Sequence, residues 1–224
     1  MSNAEERFIK KKELIRRKLA KYSRKAFKII PDIDKPRILD IGCGSGVSTL
    51  EIARLTNGEI IGLDIDQNAL NRLNNKIKKT GFSKQVKTLH CSLIDMEFPD
   101  ESFDIVWSEG SIFVIGFEKG LREWKRFIKP GGFMVIHDEM GNVKQKLEQI
   151  AKSGYELLGY FTLDTDVWRD EYFTPIEKLV NDTREKHTDD HEIFGVLNQA
   201  QSEVEFFKNY PERNRSVCFV MKKK

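Results

Sequence analysis

The stretch of this chain best suited to chemistry is Ile38-Leu39-Asp40-Ile41-Gly42-Cys43-Gly44-Ser45-Gly46. Three glycines alternate here after an apolar run that contains one aspartate, and a helical pattern begins at Val47. Glycine is needed where a backbone turns sharply or approaches a ligand without an intervening side chain. A strand that ends in such a turn leaves free N–H groups at the start of the next helix, where polar or anionic groups can bind.

A second chemical signal is Asp64, which ends a predicted strand over 59–64. An acidic residue at the end of the second strand, about 20 residues after the glycine loop, can accept hydrogen bonds from two ribose hydroxyls. Asp66, in contrast, is expected to cap the next helix. The combination of glycine turn, helix, strand and acidic strand end favours a nucleoside-binding βαβ unit over an ordinary glycine-rich turn.

The spacing of the glycines distinguishes two kinds of nucleotide loop. Dinucleotide-binding loops read G-x-G-x-x-G, whereas Gly42, Gly44 and Gly46 read G-x-G-x-G, with Val47 at the position that would complete the dinucleotide pattern. With Asp40 two residues before the first glycine, the stretch resembles motif I of the class I S-adenosylmethionine (SAM) dependent methyltransferases. Later segments resemble the same family in register: 92–99, 100–108 and Lys129-Pro130-Gly131-Gly132.

The resemblance spans residues 38–137 and is closest to small-molecule methyltransferases of the ubiquinone and sterol type (methyltransferase type 11). It implies an α/β fold with a Rossmann-like, seven-stranded, mostly parallel sheet and helices on both faces. The implied strand order is 3-2-1-4-5-7-6, with the last strand antiparallel. The order of predicted elements agrees, because strands that alternate with helical crossovers form a parallel sheet covered on both sides. The turn at 129–132 is expected to precede a fifth strand over 133–137.

Two further segments are expected to surround this sheet. The apolar spacing of residues 1–30 predicts a basic amphipathic helix, and the family resemblance implies that this helix caps the pocket. Residues 31–224 are expected to form the SAM-binding domain, with a helical insertion at 165–211. Eleven Lys or Arg residues lie between Glu5 and Lys28. Such a helix can bind nucleic acid or a membrane surface. The net charge of the whole chain is only +3, however, which favours a basic face that is simply solvated. The aromatic residues of the insertion fit a lid or a local core equally well, and its length favours the lid.

The resemblance also implies a site for SAM and its product S-adenosylhomocysteine. Asp40 is expected near the amino group of the methionine moiety, Asp64 at the ribose, and Ser92 with Leu93 at the adenine. Ser92 departs from the family, where Asp is commoner, although its hydroxyl can still accept from an amino group. The expected cofactor-binding residues are Asp40, Gly42, Cys43, Gly44, Gly46, Asp64, Ile65, Ser92, Leu93 and Ser108.

Candidate catalytic residues follow the fourth and fifth strands, because ligands bind at the carboxyl ends of strands in open α/β sheets. The expected reaction is in-line displacement from the sulfonium, in which positioning supplies most of the rate enhancement. If the acceptor needs deprotonation, the candidates are Glu109, His137 and Asp138, in that order. Phe113 and Phe117 are expected to be packing residues.

The expected acceptor is a small molecule. A nucleic-acid methyltransferase is disfavoured, since the chain lacks an N/D-P-P-Y block and a Pro-Cys pair. A NAD-dependent oxidoreductase is disfavoured by Val47 and by the lack of a hydride-transfer constellation. A protein that binds SAM without catalysis remains an alternative, because fold alone does not fix function.

The composition of the chain bears on its cellular location and on its use of cysteine. The sequence contains no run of about 18 apolar residues, so no membrane span is expected. The basic N-terminus lacks the apolar core of a signal peptide, so secretion is not expected. Cys43, Cys91 and Cys218 are widely spaced without C-x-x-C, so reduced thiols in a cytoplasm are expected rather than disulfides or zinc. No metal-ligand spacing appears. A homo-oligomer is compatible with the chain.

Overall fold

The computed structural model describes residues 2–187 and 191–224. The chain divides into two compact units. The sheet unit contains residues 22–161 and 217–224, and the helical unit contains residues 1–21 and 162–216. The N-terminal helix and the predicted insertion thus share one unit. The pocket-capping role expected for them stays a prediction.

The sheet unit is built on seven strands in the order β3-β2-β1-β4-β5-β7-β6, which confirms the predicted order. Strand β1 pairs in parallel with β2 and β4, and the β2–β3 and β4–β5 pairs are parallel as well. The carboxyl ends of β1 to β5 therefore share one edge of the sheet. The strands are β1 (Arg37–Ile41), β2 (Glu59–Asp64), β3 (Val86–His90), β4 (Phe103–Glu109), β5 (Ile128–Glu139), β6 (Tyr155–Leu163) and β7 (Ser216–Lys223).

Strand β5 is longer than the sequence predicts. It begins at Ile128, so that the expected turn at 129–132 lies inside it. Its register against β4 jumps there, from Phe103 opposite Ile128 to Ile105 opposite Phe133. Pro130 has no N–H to donate and Gly131 has a φ of 71°, so this segment leaves regular pairing before Phe133 resumes it.

Helices cover both faces of the sheet. They are α2 (Ala20–Phe27), α3 (Val47–Leu55), α4 (Gln67–Thr80), α5 (Phe117–Trp124) and α6 (Val143–Lys152). Asp66 caps α4 as predicted, since its Oδ1 accepts from the N–H groups of Asn68 (2.8 Å) and Ala69 (3.1 Å). At its other end α4 stops at Gly81, which has a φ of 79°, the left-handed conformation that favours glycine.

Two apolar cores lie on the two faces of the sheet. One contains Leu121 and Trp124 of α5 with Val106 and Ile136 of the strands. The other contains Leu50 of α3 and Leu73 of α4 with Trp107 and Val135. Successive strand residues point to opposite faces, so Trp107 and Glu109 share the face of α2 and α3, whereas Ser108 points toward α5 and α6. The same alternation places the predicted catalytic residues Glu109 and His137 on one face of the sheet and Asp138 on the other.

The helical unit has its own apolar core. It consists of α1 (Asn3–Arg17), α7 (Thr165–Trp168), α8 (Thr174–Lys186) and α9 (Phe194–Asn209), joined by short 3-10 and π-helical turns. Phe8 of α1, Ile176 of α8 and Leu197 of α9 are buried together. Phe173 stacks on Phe207 with ring centroids 4.2 Å apart. The aromatic residues of the insertion therefore form a local core.

The N-terminal segment is two helices rather than the single helix predicted over residues 1–30. Helix α1 ends at Arg17 and α2 begins at Ala20. Between them, the N–H groups of Lys18 and Leu19 donate to carbonyls three residues earlier. Such bonds tighten the last turn of a helix and stop its α-helical ladder.

Candidate functional site

The glycine loop joins β1 to α3 and is tied to β2 by its backbone. The N–H groups of Gly42 and Cys43 both donate to the Leu63 carbonyl, each at 2.9 Å. A Cβ atom on Gly42 would lie 2.5 Å from Ser111 Cβ, and one on Gly46 would lie 2.2 Å from Leu73 Cδ1. Side chains at these two positions are excluded by packing, which is why the sequence needs glycine there.

Gly44 is different, because packing does not exclude a side chain at this position. A Cβ atom there would approach only Asp64 Oδ2, at 4.0 Å. The space that it would enter lies beside the loop backbone, next to the predicted ribose-binding carboxylate. Open space against bare backbone and a carboxylate fits a bound nucleoside, so these residues fit SAM.

Asp64 links the loop to the end of β2. Its Oδ2 accepts from the Gly44 N–H at 2.7 Å, and its Oδ1 accepts from the Asp66 N–H at 2.8 Å. Each carboxylate oxygen can accept a second hydrogen bond, so both oxygens can still serve a ribose diol. Ile65, the next residue, is 72% exposed, and an exposed isoleucine at this position offers an apolar surface to a ligand.

Asp40 lies deep under the loop and is 2% exposed. Its Oδ2 accepts from Thr49 Oγ1 of α3 at 2.6 Å. Burial raises the pKa of this carboxyl to about 7, assisted by the nearby charges of Glu109 and Asp64 and opposed by the Thr49 hydrogen bond. The group can thus change its charge near neutrality when a cationic group approaches it.

Cys43 occupies the loop between two of its glycines. Burial is the main reason why the pKa of its thiol lies well above the usual range, so the thiol is not a nucleophile at neutral pH. A Cβ on Gly62 of β2 would lie 3.0 Å from the Cys43 sulfur. The side chain packs against the strand, which leaves the loop backbone at Cys43 as the part available to a ligand.

The segment after β3 holds the residues expected at the adenine. Ser92 and Leu93 are half-buried, whereas Ile94 is 62% exposed. The Ser92 hydroxyl accepts from the Ile94 N–H at 3.2 Å, and the Ser92 carbonyl accepts from the Asp95 N–H at 3.1 Å. The Ser92 hydroxyl proton and a lone pair remain for a ligand.

Glu109 and His137 come together at the carboxyl ends of β4 and β5, where they are direct partners in the strand register. Glu109 Oε2 lies 3.9 Å from His137 Nδ1, a distance within ion-pair range, and their side chains are 24% and 16% exposed. Trp107 Nε1 donates to Glu109 Oε1 at 2.9 Å. Burial raises the pKa of Glu109, but His137, Ser23 of α2 and Trp107 together outweigh it, so the net pKa is lowered. The carboxylate stays ionised beside the imidazole.

Asp138 is not part of this pair. It points to the opposite face of the sheet, where its Oδ2 accepts from Lys146 Nζ of α6 at 2.6 Å. Lys146 also donates to the Glu139 carbonyl at 2.5 Å. Asp138 is therefore held by Lys146 and does not face the Glu109–His137 pair.

Ser108 also points away from Glu109. It is 1% exposed, and its Oγ is hydrogen-bonded to Ser111 Oγ at 2.7 Å. Ser111 Oγ in turn donates to the Ile41 carbonyl, also at 2.7 Å. Ser108 therefore supports the backbone that leads into the glycine loop.

Several residues of the site escaped the sequence reasoning. Phe113, expected to pack, is 66% exposed in a 3-10 turn just after β4, whereas Phe117 packs beside Phe219 as expected. Ser111 and Thr49 were missed although each lies within a few residues of a predicted site residue. Ser23 had no local signal, because it reaches Glu109 only through the tertiary packing of α2.

Within the described residues, no group of three or more His, Cys, Asp or Glu side chains is arranged to hold a metal ion. Across residues 2–187 and 191–224, no helix is both long and apolar enough to cross a bilayer.

Part of this chain is similar in sequence to known methyltransferases. Residues 38–132 match the family model described as a methyltransferase domain. The chain is 32% identical over 103 residues to the sterol 24-C-methyltransferase ERG6B of Gibberella zeae, which covers 46% of this chain and 27% of that protein. The chain spans about half the length, or less, of the curated relatives that it matches first.

Two solved structures show the same fold. A SAM-dependent methyltransferase from Geobacter sulfurreducens, in complex with S-adenosyl-L-homocysteine, has a TM-score of 0.73 at 19% identity and covers 92% of this chain and 90% of that chain. The [4+2]-cyclase SpnF also has a TM-score of 0.73, at 18% identity, with 91% of this chain and 81% of that chain covered. The segment that matches the methyltransferase domain model holds the glycine loop, Asp64 and Glu109. The seven-stranded fold around it is similar to that of the SAM-dependent methyltransferase from Geobacter sulfurreducens.

Proposed function

We propose that this chain transfers the methyl group of SAM to a small-molecule acceptor. The observation that carries the proposal is the contact between Asp64 Oδ2 and the Gly44 N–H at 2.7 Å. This hydrogen bond connects Asp64, whose carboxylate suits a ribose diol, with Gly44. Among the three glycines of the loop, Gly44 is the one at which packing leaves room for a side chain. The family match and the relation to a sterol methyltransferase support the same reaction.

Different residues would bind different parts of SAM. The backbone from Gly42 to Gly46 would lie along the methionine moiety, and Asp40 would face its ammonium group. Asp64 would accept from the ribose, while the segment at Ser92 and Leu93 would hold the adenine. SAM supplies a methyl group on a sulfonium, which is already an activated donor. The protein's share of the work is then mainly to orient and desolvate the reactants.

Glu109 and His137 are the groups that would take a proton from the acceptor. They lie on the same sheet face as Asp40, which pairs with Trp107 in the register of β1 and β4. Glu109 is held by Trp107 and His137 and stays ionised. A carboxylate near one nitrogen of an imidazole orients the ring and sets its tautomer, as it does for histidine in other general bases. We place His137 as the proton acceptor and Glu109 as its partner.

Apolar surface in the turn that follows β4 supports an acceptor with an apolar body. Phe113 is 66% exposed and Val114 is 53% exposed in the turn that follows Glu109. Exposed apolar side chains beside convergent polar groups are typical of small-molecule sites. Three free thiols, at Cys43, Cys91 and Cys218, support a reducing compartment such as the cytoplasm.

The first test is calorimetric titration with SAM and S-adenosylhomocysteine, with NAD as the control ligand, on the natural chain and on Asp64→Ala. We expect micromolar binding of the first two and at least tenfold weaker binding by the variant, which corresponds to about 1.4 kcal/mol. Binding of NAD alone, or an unaffected variant, would remove the cofactor assignment.

The second test addresses catalysis, since the fold is shared with a cyclase. Small molecules that carry hydroxyl, amine or carbon nucleophiles are screened for SAM-dependent methylation. On any acceptor found, His137→Asn is expected to lower kcat at least 100-fold, within the range that a general base supplies, and to leave S-adenosylhomocysteine affinity unchanged. Tight cofactor binding without turnover of any acceptor would favour a SAM-binding protein of another activity.

A further inference from the structure

Helix α1 carries a row of cations that the methyltransferase site does not use. Residues at spacings of three and four align on one side of an α-helix, and here they are Arg7, Lys10, Lys11, Leu14, Arg17 and Lys18. At about 100° per residue, the six lie within an arc of about 120° and extend over about 17 Å. We call these six residues the cationic stripe.

The cationic stripe is exposed along its whole length. All five of its Lys and Arg side chains are exposed, and Leu14 at its centre is 60% exposed. Lys10 has a single acidic neighbour, Glu6 at 3.8 Å, with both side chains largely in solvent. Among the described residues, the other four cations of the stripe form no ion pair.

Two other cations of the N-terminal segment, one in α1 and one in α2, each have an acidic partner. Lys12 Nζ lies 2.8 Å from Glu203 of α9, and Lys21 Nζ lies 2.7 Å from Glu171. Phe8 of α1 is buried in the core of the helical unit. In the cationic stripe, by contrast, four of the five cations have no ion-pair partner among the described residues, and the fifth has only the half-exposed Glu6. An anionic partner would complement the stripe.

We propose that α1 docks on anionic membrane surfaces through the cationic stripe, with Leu14 entering the headgroup boundary. A cluster of about four to eight Lys or Arg residues on a helix is attracted to anionic lipids, and burial of an apolar side chain among them adds to the attraction. Long Lys and Arg stems can lie along the boundary while their charged ends reach phosphate groups. A single strand of nucleic acid is usually held with stacked aromatic side chains, and the stripe contains none.

The test is sedimentation of the full chain with vesicles of phosphatidylcholine alone and vesicles of equal parts phosphatidylcholine and phosphatidylserine. Binding is expected only to the second kind and is expected to weaken with added salt. Each cation near such a surface contributes about fivefold in affinity. The variant Lys11→Gln/Arg17→Gln/Lys18→Gln should therefore bind about 100-fold more weakly.

A matched control removes the same charge elsewhere. Lys78, Lys79 and Lys84 are exposed in the sheet unit, and Lys78→Gln/Lys79→Gln/Lys84→Gln should bind vesicles like the natural chain. Leu14→Gln should weaken vesicle binding about fivefold, since a partly buried leucine would be lost. Thermal melting of every variant checks folding, and Arg7→Gln/Lys10→Gln serves as the second stripe variant if the first melts early.

Two results would overturn the proposal. Equal vesicle binding by the stripe variants and the control variant would show that net charge alone is responsible. Tighter binding of polyuridine RNA than of vesicles, lost in the stripe variant and unchanged in Leu14→Gln, would make the stripe a nucleic-acid surface.

Discussion

Asp64 Oδ2 accepts a hydrogen bond from the Gly44 N–H at 2.7 Å. The carboxylate expected to hold a ribose thus also fixes the loop expected to hold the methionine moiety. Its other oxygen accepts from the Asp66 N–H, which precedes α4. One side chain therefore organises the glycine loop and the end of β2 before any ligand binds, which is the preorganisation that reduces the cost of binding.

The first prediction follows from these two hydrogen bonds. Asp64→Ala should lower the free energy of unfolding by about 2 kcal/mol, because two backbone donors lose a charged acceptor. Asp64→Asn keeps one oxygen acceptor and should lose about half as much. Urea denaturation without ligand measures both values. Equal stability of Asp64→Ala and the natural chain would show that the loop does not depend on this carboxylate.

The second prediction compares glycines within the loop. Gly42→Ala should cost about 3 kcal/mol of unfolding free energy, since a Cβ would meet Ser111 at 2.5 Å and φ is 75°. Gly44→Ala meets no close atom and should cost only about 1 kcal/mol from its left-handed backbone. It should, however, bind S-adenosylhomocysteine at least tenfold more weakly, or about 1.4 kcal/mol.

Gly81→Ala is the control for this comparison. Gly81 has a φ of 79° with no atom within 4 Å of a Cβ, so it reports the cost of left-handed backbone alone. Denaturation and calorimetry on all three variants separate packing, backbone strain and ligand contact. Unchanged cofactor affinity in Gly44→Ala would mean that the ligand does not approach this part of the loop.

The third prediction concerns Asp138, which the sequence placed among the catalytic candidates. Its buried ion pair with Lys146, at 2.6 Å, indicates a structural role. Asp138→Asn should destabilise the chain by about 3 kcal/mol, because a buried ammonium loses its counter-charge. Asp138→Leu/Lys146→Met should recover most of that stability, since no buried charge remains. S-adenosylhomocysteine affinity should stay unchanged throughout. An Asp138→Asn protein that is as stable as the natural chain but does not transfer methyl groups would show that Asp138 is a catalytic residue.

These cases show what the sequence could and could not predict. Gly42 and Gly46 lie in one turn and Asp64 lies at a strand end, so their spacing along the chain was sufficient to predict these positions. Their roles toward a ligand stay predictions. The partners of Asp138 and Glu109 lie on other elements, and only the alternation of strand faces separates the two carboxylates. The register of β5 against β4, which shifts once along the pair, places Glu109 and His137 on one face, and no local pattern gives that register.

The N-terminal segment shows the same limit. Its apolar periodicity indicated helix, but the break after Arg17 depends on which carbonyls Lys18 and Leu19 reach. Helix α1 packs with α8 and α9. These contacts join residues more than 150 positions apart in the sequence, and no local pattern encodes such a contact. Phe113 was misjudged for a related reason, because an aromatic residue in a turn can pack or remain exposed.

The final prediction is a pH dependence set by Asp40. Burial raises the pKa of Asp40 from 3.8 to about 7 in the folded chain. Between these values the folded state binds a proton that the unfolded state has lost, so the contribution of Asp40 to stability falls as pH rises through this window. Above pH 7 the contribution stays at its lower value. Asp40→Asn is neutral at every pH and can still accept from Thr49.

The natural chain should therefore lose about 3 kcal/mol of unfolding free energy relative to Asp40→Asn between about pH 5 and about pH 8. Urea denaturation of both proteins at the two pH values measures the difference. Binding of S-adenosylhomocysteine should release a proton near pH 7, because its ammonium group would favour the ionised form of Asp40. Calorimetry in two buffers of different ionisation enthalpy detects that proton. A pH-independent stability difference, together with no proton release, would show that Asp40 is ionised throughout and does not face the ligand's ammonium group.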